Sequence, residues 1–303
     1  MKNLLVYYGY LNCFNSTTNS WNNEKVAQEL SRYDLLVFGD GIQSSGHGDY
    51  SNTEIIIPRI KALNPESKIF GYVTVNQSYA NFISKVDEWL VLGVQGIFFD
   101  ESGYDYGSVA TNGRDAFNDK VDYVHSKDML CFINAWKPEH IYGVNSDASY
   151  PDTTWNVNLV DSNLNISDWY LMESFAITSA ASFESKTQWL SRGEEIQDYP
   201  FNIAASSVIS DSDESGQDKF DFIYTSACMW ALGAVGSSHT NYGASTSTTK
   251  MWVRPEMKCL VWDYEPTVKV DLSDSDIYMR YIQYGKLTVD FSSGSETSSI
   301  DIY

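Results

Sequence analysis

Three acids stand where apolar runs stop. Asp100 and Glu101 close "GIFFDES", and Glu173 sits near the end of "DWYLMESF". A carboxyl group in such a place either caps the next helical turn or is a reactive group. Two of them on separate runs can divide the work of glycoside hydrolysis. One, protonated, releases the leaving oxygen; the other, ionised, attacks or activates water. Their surroundings must differ so that their pKa values separate. Glu173 has the more apolar flanks and is read as the general acid, with Asp100 as nucleophile or base. Glu101 is the rival to Asp100, because strand register decides which of two adjacent acids faces inward.

The elements that position these acids follow an alternating order. Strands are read from Asn3 ("NLLVYYGYL"), Asp34 ("DLLVFGDG"), Lys68 ("KIFGYVTVN"), Gly96 ("GIFFDES"), Met129 ("MLCFINAW"), Asp168 ("DWYLMESF") and Pro200 ("PFNIAASSV"), with an eighth at or just after "GAVGSS". Helices are read from Asn22, Asn52, Tyr79, Gly113, Ser182 and Gly216 by their apolar spacing and caps. Pro58 is placed in the first turns of the helix from Asn52. The strands are continuous apolar runs, as in sheets covered on both faces. Eight of them with intervening helices over roughly 250 residues predict a (β/α)8 TIM barrel. An open doubly wound sheet would call for a glycine-rich loop after the first strand, and "YYGYLNCFNS" has no GxGxxG. The barrel is assigned to residues 1–250. Residues 251–303 are read as a last helix from Trp252 and a C-terminal β-hairpin or β-unit turning near Gly285.

In a barrel the site lies at the C-terminal strand ends. Those ends supply Tyr8 and Tyr10, Asp40, Tyr72 and Asn76, Asp100 and Glu101, Asn134 and Trp136, Glu173, and Asn202 and Ser206. Amides and carboxylates suit sugar hydroxyls, and tyrosine and tryptophan rings suit the apolar faces of pyranoses. Tyr8, Tyr10, Asp40, Tyr72, Asn76, Glu101, Asn134 and Trp136 are the expected substrate-binding set.

Composition narrows the partners. Forty acids against 20 bases give a formal charge of −20, which repels nucleic acid and anionic membranes. No apolar run approaches the ~20 residues of a membrane-spanning helix. The opening "MKNLLVYYGYLNCFNS" lacks a small-residue cleavage site and reads as a first strand, not a signal peptide. Cys13, Cys131, Cys228 and Cys259 form no CxxC, and Cys131 and Cys228 lie in apolar surroundings as buried thiols. His47, His125, His140 and His239 form no HxH or HExxH, so neither a transition-metal centre nor a cofactor is expected. "SDSDES" and "DLSDSD" lack the full calcium-loop pattern. There is no GxSxG, P-loop or histidine-bearing triad.

From Lys68 to Gly107 the chain resembles the spherulin-4-like proteins: a "GYV" strand, an amphipathic helix with an aromatic residue ("VDEWLVLG"), then "GIFFDE". The resemblance implies a TIM barrel similar to endo-α-1,4-polygalactosaminidase-type glycoside hydrolases. It implies that the acids after strands four and six, here Asp100 and Glu173, are the catalytic pair. The expected partner is a surface or matrix polysaccharide, an amino-sugar polymer among the candidates. The sequence also looks similar to barrel domains of phage-associated and tail proteins. The competing expectation is therefore a non-catalytic glycan-binding or structural module that meets other subunits of a virion or surface assembly. Either reading implies an extracellular or virion-surface location.

Overall fold

The computed structural model describes residues 1–143, 153–178, 182–199, 202–209, 214–239, 269–270, 275–282, 285–292 and 296–302. Eight parallel strands close a barrel in sequence order: β1 (Lys2–Tyr7), β2 (Leu35–Phe38), β3 (Lys68–Thr74), β4 (Gly96–Ser102), β5 (Leu130–Ala135), β6 (Trp169–Glu173), β7 (Asn202–Ile209) and β8 (Ala234–His239). β8 returns to β1 through Lys2↔Ala234. The expected TIM barrel is therefore the observed fold.

The helices are α1 (Ser16–Asn19), α2 (Asn23–Leu30), α3 (Tyr50–Leu63), α4 (Tyr79–Val91), α5 (Val109–Asn112), α6 (Arg114–His125), α7 (Lys186–Glu195) and α8 (Glu214–Met229). Asn22 caps α2 by accepting from the Lys25 N–H, as its sequence signature predicts. Two boundaries differ from expectation. α3 begins at Tyr50, which puts Pro58 in the middle of the helix and not in its first turns. The ring lies on the exposed face, where a carbonyl without its helical donor can turn to solvent. α7 starts at Lys186, not Ser182, because Phe183 is engaged in an antiparallel bridge to Ile177.

Alternation along the strands sorts the core into two layers. Leu4, Leu35, Val37, Phe70, Phe98, Phe132, Trp169, Leu171, Ala204 and Ala234 fill the lumen. The residues between them, such as Ile69, Ile97, Phe99, Cys131 and Ile133, pack outward with the helices. Large rings from β3 to β6 interlock inside, Phe70 against Phe132 at 5.1 Å and Phe98 against Phe132 at 5.4 Å. Alanines on β7 and β8 face them. Each fully buried ring contributes roughly 1.5–3 kcal/mol by leaving water. The lumen is thus a solid aromatic floor, and the next inward position on each strand stands on top of it.

After the barrel, β9 (Lys269–Val270), β10 (Ile277–Ile282), β11 (Gly285–Asp290) and β12 (Thr297–Ile302) form an antiparallel sheet in the order β12-β11-β10-β9. Its rings pack on α7 and α8: Trp189 lies 5.2 Å from Tyr278 and 5.5 Å from Phe291, and Phe222 lies 5.9 Å from Phe291. The expected hairpin is part of this larger sheet. The expected last helix and the boundary at 250/251 lie outside the described residues.

Candidate active site

Asp100 follows the lumen residue Phe98 by two, Asn134 follows Phe132 by two, Glu173 follows Leu171 by two, and Tyr72 follows Phe70 by two. Period-two alternation therefore turns all four side chains inward, toward the barrel mouth. The Tyr72 hydroxyl donates to Asp100 Oδ2 at 2.6 Å. Asn134 Nδ2 donates to Asp100 Oδ1 at 3.2 Å and to Glu173 Oε1 at 3.0 Å. One amide nitrogen thus joins the acids of strands four and six. The two carboxyl groups are thereby held to one amide nitrogen, within reach of each other.

The two acids differ in support. Asp100 receives Tyr72, Asn134 and the neighbouring Glu101 N–H; burial still raises its pKa, with the Glu101 charge adding to the rise. Among the described residues, Glu173 receives one side-chain hydrogen bond, from Asn134. It is exposed to the cleft, yet the protein walls around it make desolvation the main cause of its raised pKa. The Asp100 charge pushes in the same direction; Asn134 and Arg192 oppose it less. Tyr72 is held firmly protonated by burial and by its bond to Asp100, so it stays a donor. Burial thus favours the protonated form of both acids, and the donors around Asp100 offset this more than the Asn134 contact does at Glu173.

Positioning starts in the local sequence. A Cβ at Gly71 would meet the Trp89 ring at 2.1 Å, so the glycine of "GYV" lets α4 lie against β3. Trp89 Nε1 then donates to the Tyr72 carbonyl at 3.0 Å. Each acid is followed by a residue in the left-handed region, Glu101 at φ 55° and Ser174 at φ 52°. Such backbone persists only where neighbours hold it. Asn112 Nδ2 holds the Glu101 carbonyl at 2.6 Å, and Arg192 donates to the carbonyls of Glu173 and Ser174, the latter at 2.7 Å.

The expected site residues separate accordingly. The structure brings together Tyr72, Asp100, Asn134 and Glu173, with Tyr8 edge-on to Tyr72 at 5.3 Å. Glu101 turns instead to the Thr74 hydroxyl at 2.8 Å, because the irregularity between Phe99 and Ser102 takes it out of the lumen register. Asp40 pairs with Lys85 at 2.6 Å on the rim. Tyr10 packs on His47 at 4.7 Å, and Asn76 accepts from Thr111 at 3.3 Å. Asn202 begins β7 and donates to the carbonyls of Ile166 and Asp168 at the opposite end of the barrel, so it is not a mouth residue. Arg114 spends its guanidinium on the carbonyls of Tyr142, Val160 and His140, and Lys137 lies 3.6 Å from Glu139; neither neutralises Glu173.

A cleft of about 790 Å³ leads from Glu173 and Asn134 outward. Trp136, Tyr106, Glu139, Glu184, Glu195 and Arg192 are among its walls. Tyr106 and Arg192 were not among the expected site residues. Tyr106 belongs to the loop after strand four, a position readable as mouth-facing. Arg192 lies on a helix and had no such signal.

No family model matches the sequence, and no curated protein matches it. Among solved structures the chain is similar to the alpha-amylase of Geobacillus thermoleovorans, with 8% identity over 95% of this chain and 86% of that one and a TM-score of 0.49. D-psicose 3-epimerase gives 12% identity over 82% and 88%, with a TM-score of 0.46. The carboxyl transferase domain of Rhizobium etli pyruvate carboxylase gives 11% over 81% of this chain, with a TM-score of 0.46. The chain spans only 41% of that last structure. The barrel is established by this chain's own strand order, and function has to be argued from the site.

Proposed function

We propose that this barrel is a glycoside hydrolase of the spherulin-4-like and polygalactosaminidase-like kind, cutting a polysaccharide with Asp100 and Glu173. The observation that carries the reading is the shared contact of Asn134 with both carboxyl groups. It brings two carboxyl groups together with unequal hydrogen-bond support, which favours the division of labour a glycosidase pair needs. In the reaction Glu173 gives its proton to the leaving oxygen while Asp100 Oδ1 or Oδ2 attacks the anomeric carbon. Water then releases the sugar, with Glu173, now ionised, taking its proton. Asn134 keeps both groups at their spacing, and Tyr72 stabilises the charge on Asp100 before attack. Trp136 and Tyr106 offer rings beside the acid for stacking against sugar faces. The acidic cleft and the net charge favour neutral or cationic glycans, amino-sugar polymers included.

The test is hydrolysis of a panel of neutral and amino-sugar polysaccharides by wild type, Asp100→Asn and Glu173→Gln, with the anomeric product followed by NMR. Cleavage with retention by wild type, lost in both variants, is the expected result. Undiminished cleavage by both would end the assignment. Binding without cleavage by any of the three would favour a glycan-binding module of a surface or virion assembly.

A further inference from the structure

A second cluster of reactive side chains lies at the other end of the barrel. His125 is the last residue of α6, Cys131 is in the first turn of inward-outward alternation on β5, and Asp168 immediately precedes β6. His125 Nε2 lies 3.0 Å from Asp168 Oδ2, 3.2 Å from Oδ1 and 3.7 Å from Cys131 Sγ. The three ligand atoms fall within 4.8 Å of one another. Asn165 Nδ2 approaches the same imidazole nitrogen at 3.2 Å.

One proton on Nε2 serves the Asp168 contact but not the close contacts with Cys131 and Asn165 at once. If Nε2 carries a hydrogen, it can serve Asp168, but that hydrogen then faces the amide hydrogens of Asn165. If Nε2 is bare, it can accept from Asn165 or from the thiol, but its lone pair then faces the Asp168 oxygens. Turning the Asn165 amide over is not a free remedy, because its Oδ1 already accepts from the Ser167 N–H at 2.9 Å. A nitrogen, a sulfur and a carboxylate oxygen gathered within 4.8 Å are a donor set suited to a cation.

We propose that His125, Cys131 and Asp168 form a divalent-metal site at the base of the barrel, with zinc the best-matched ion. With bonds of about 2.0–2.3 Å, a tetrahedral zinc spaces its ligand atoms roughly 3.2–3.7 Å apart. The nitrogen–oxygen and nitrogen–sulfur separations already stand close to that range, and the sulfur–oxygen edge closes on binding. Thiolate with imidazole selects zinc over calcium or magnesium, which prefer oxygen shells. A thiolate, a carboxylate and a neutral imidazole around a dication make a net-neutral centre, suited to the burial of Cys131 and Asp168. Binding displaces the thiol proton to solvent and forms the metal–sulfur bond, with no change of oxidation state. The second shell is in place: Asp168 Oδ1 accepts from the Cys131 N–H and Oδ2 from the Asn165 N–H, both at 2.8 Å. Access is from the side of His125, whose side chain is 24% exposed, and of the exposed Asn165. This departs from the expectation of no transition-metal centre. Local motifs do not show it, because the three ligands come from three separate elements.

The experiment uses the full chain, stripped with a chelator and dialysed, then titrated with zinc by calorimetry and with cobalt by absorption. One zinc per chain and a thiolate-to-cobalt charge-transfer band are expected. Cys131→Ala, which leaves a small apolar side chain in a buried position, abolishes the band and weakens zinc binding at least ~100-fold while thermal unfolding stays cooperative. His125→Asn, at the more exposed corner, does the same and serves if the cysteine variant does not fold. Absence of stoichiometric binding in folded wild type, or equal binding in both variants, overturns the site and leaves a histidine–aspartate ion pair. Neither outcome depends on whether the mouth cleaves a glycan.

Discussion

The barrel carries acids at both ends, and they live differently. At the base, Asp34 accepts from the Asn3 N–H, and Asp168 accepts from the N–H groups of Cys131 and Asn165. At the mouth, Asp100 and Glu173 rely on Tyr72 and Asn134, and burial raises the pKa of both. The difference follows from strand polarity. The N-terminal edge of a parallel barrel leaves backbone N–H groups to be paired and the C-terminal edge leaves carbonyls. Carboxylates answer the first need and only donors answer the second. The mouth bears this out: Trp89, Lys120, Asn112 and Arg192 donate to the carbonyls of Tyr72, Val75, Glu101 and Glu173. Asp100 and Glu173 are held there mainly by side-chain donors, as the proposed chemistry asks.

Exchanging the effects of the two ends would break this contrast. Asp100→Asn and Glu173→Gln are expected to lower glycan hydrolysis by about 10²–10⁴-fold with unfolding midpoints near wild type. Asp168→Asn is expected to do the opposite. It loses roughly 2–4 kcal/mol in denaturant unfolding as two backbone donors lose a charged acceptor, while activity per folded molecule holds. An Asp168 variant that folds normally but does not cleave would sink the distinction.

Within the mouth, the bracing donors come next. Arg192→Met is expected to cut kcat by about 10–100-fold with a smaller change in KM, because the Glu173 end drifts while the other cleft walls remain. Steady-state kinetics separate the two parameters. A finer probe is the coupling between the acids. Asp100 raises the Glu173 pKa, so Asp100→Asn should lower it, as read by NMR titration of the Glu173 carboxyl carbon. An unmoved titration would mean that the two groups do not sense each other.

The smallest expected effect concerns Lys120. Its ammonium is buried, donates to the Val75 and Thr111 carbonyls, and has its pKa lowered by desolvation from 10.5 to about 8. Between pH 8 and 10.5 the unfolded chain holds a proton that the folded chain has shed, so this residue's contribution to stability rises with pH. Buried tyrosines such as Tyr33, whose pKa is pushed up, act in the opposite sense above pH ~10. Wild type compared with Lys120→Met cancels the tyrosines. The difference should grow by up to ~2–3 kcal/mol across that window in urea unfolding at a series of pH values.

Much of this was legible in the sequence, for identifiable reasons. Continuous apolar runs such as "GIFF" and "WYLM" betray strands covered on both faces, and their order gave the barrel. The pairing of Asp100 with Glu173 followed from the position of their strands. The choice between Asp100 and Glu101 did not, because it depends on a left-handed residue held by Asn112 and on a hydroxyl from Thr74, contacts that cross loops. Asn202 was misplaced for a related reason: the strand from Pro200 extends farther than its apolar core, so its early residues lie at the base. Arg192 and the three residues around His125 meet their partners only through tertiary packing.

Trp189 ties these regions to the C-terminal sheet. It lies on the same helix as Arg192 and is packed between Trp230, Tyr278 and Phe291. Lys186 at the start of that helix bonds Asp276. The sheet that follows the barrel is thus the backing of the helix that grips the Glu173 strand end. Trimming the chain to an isolated barrel would therefore remove a splint from the acid, and the smallest unit competent for the proposed reaction extends well past the eighth strand.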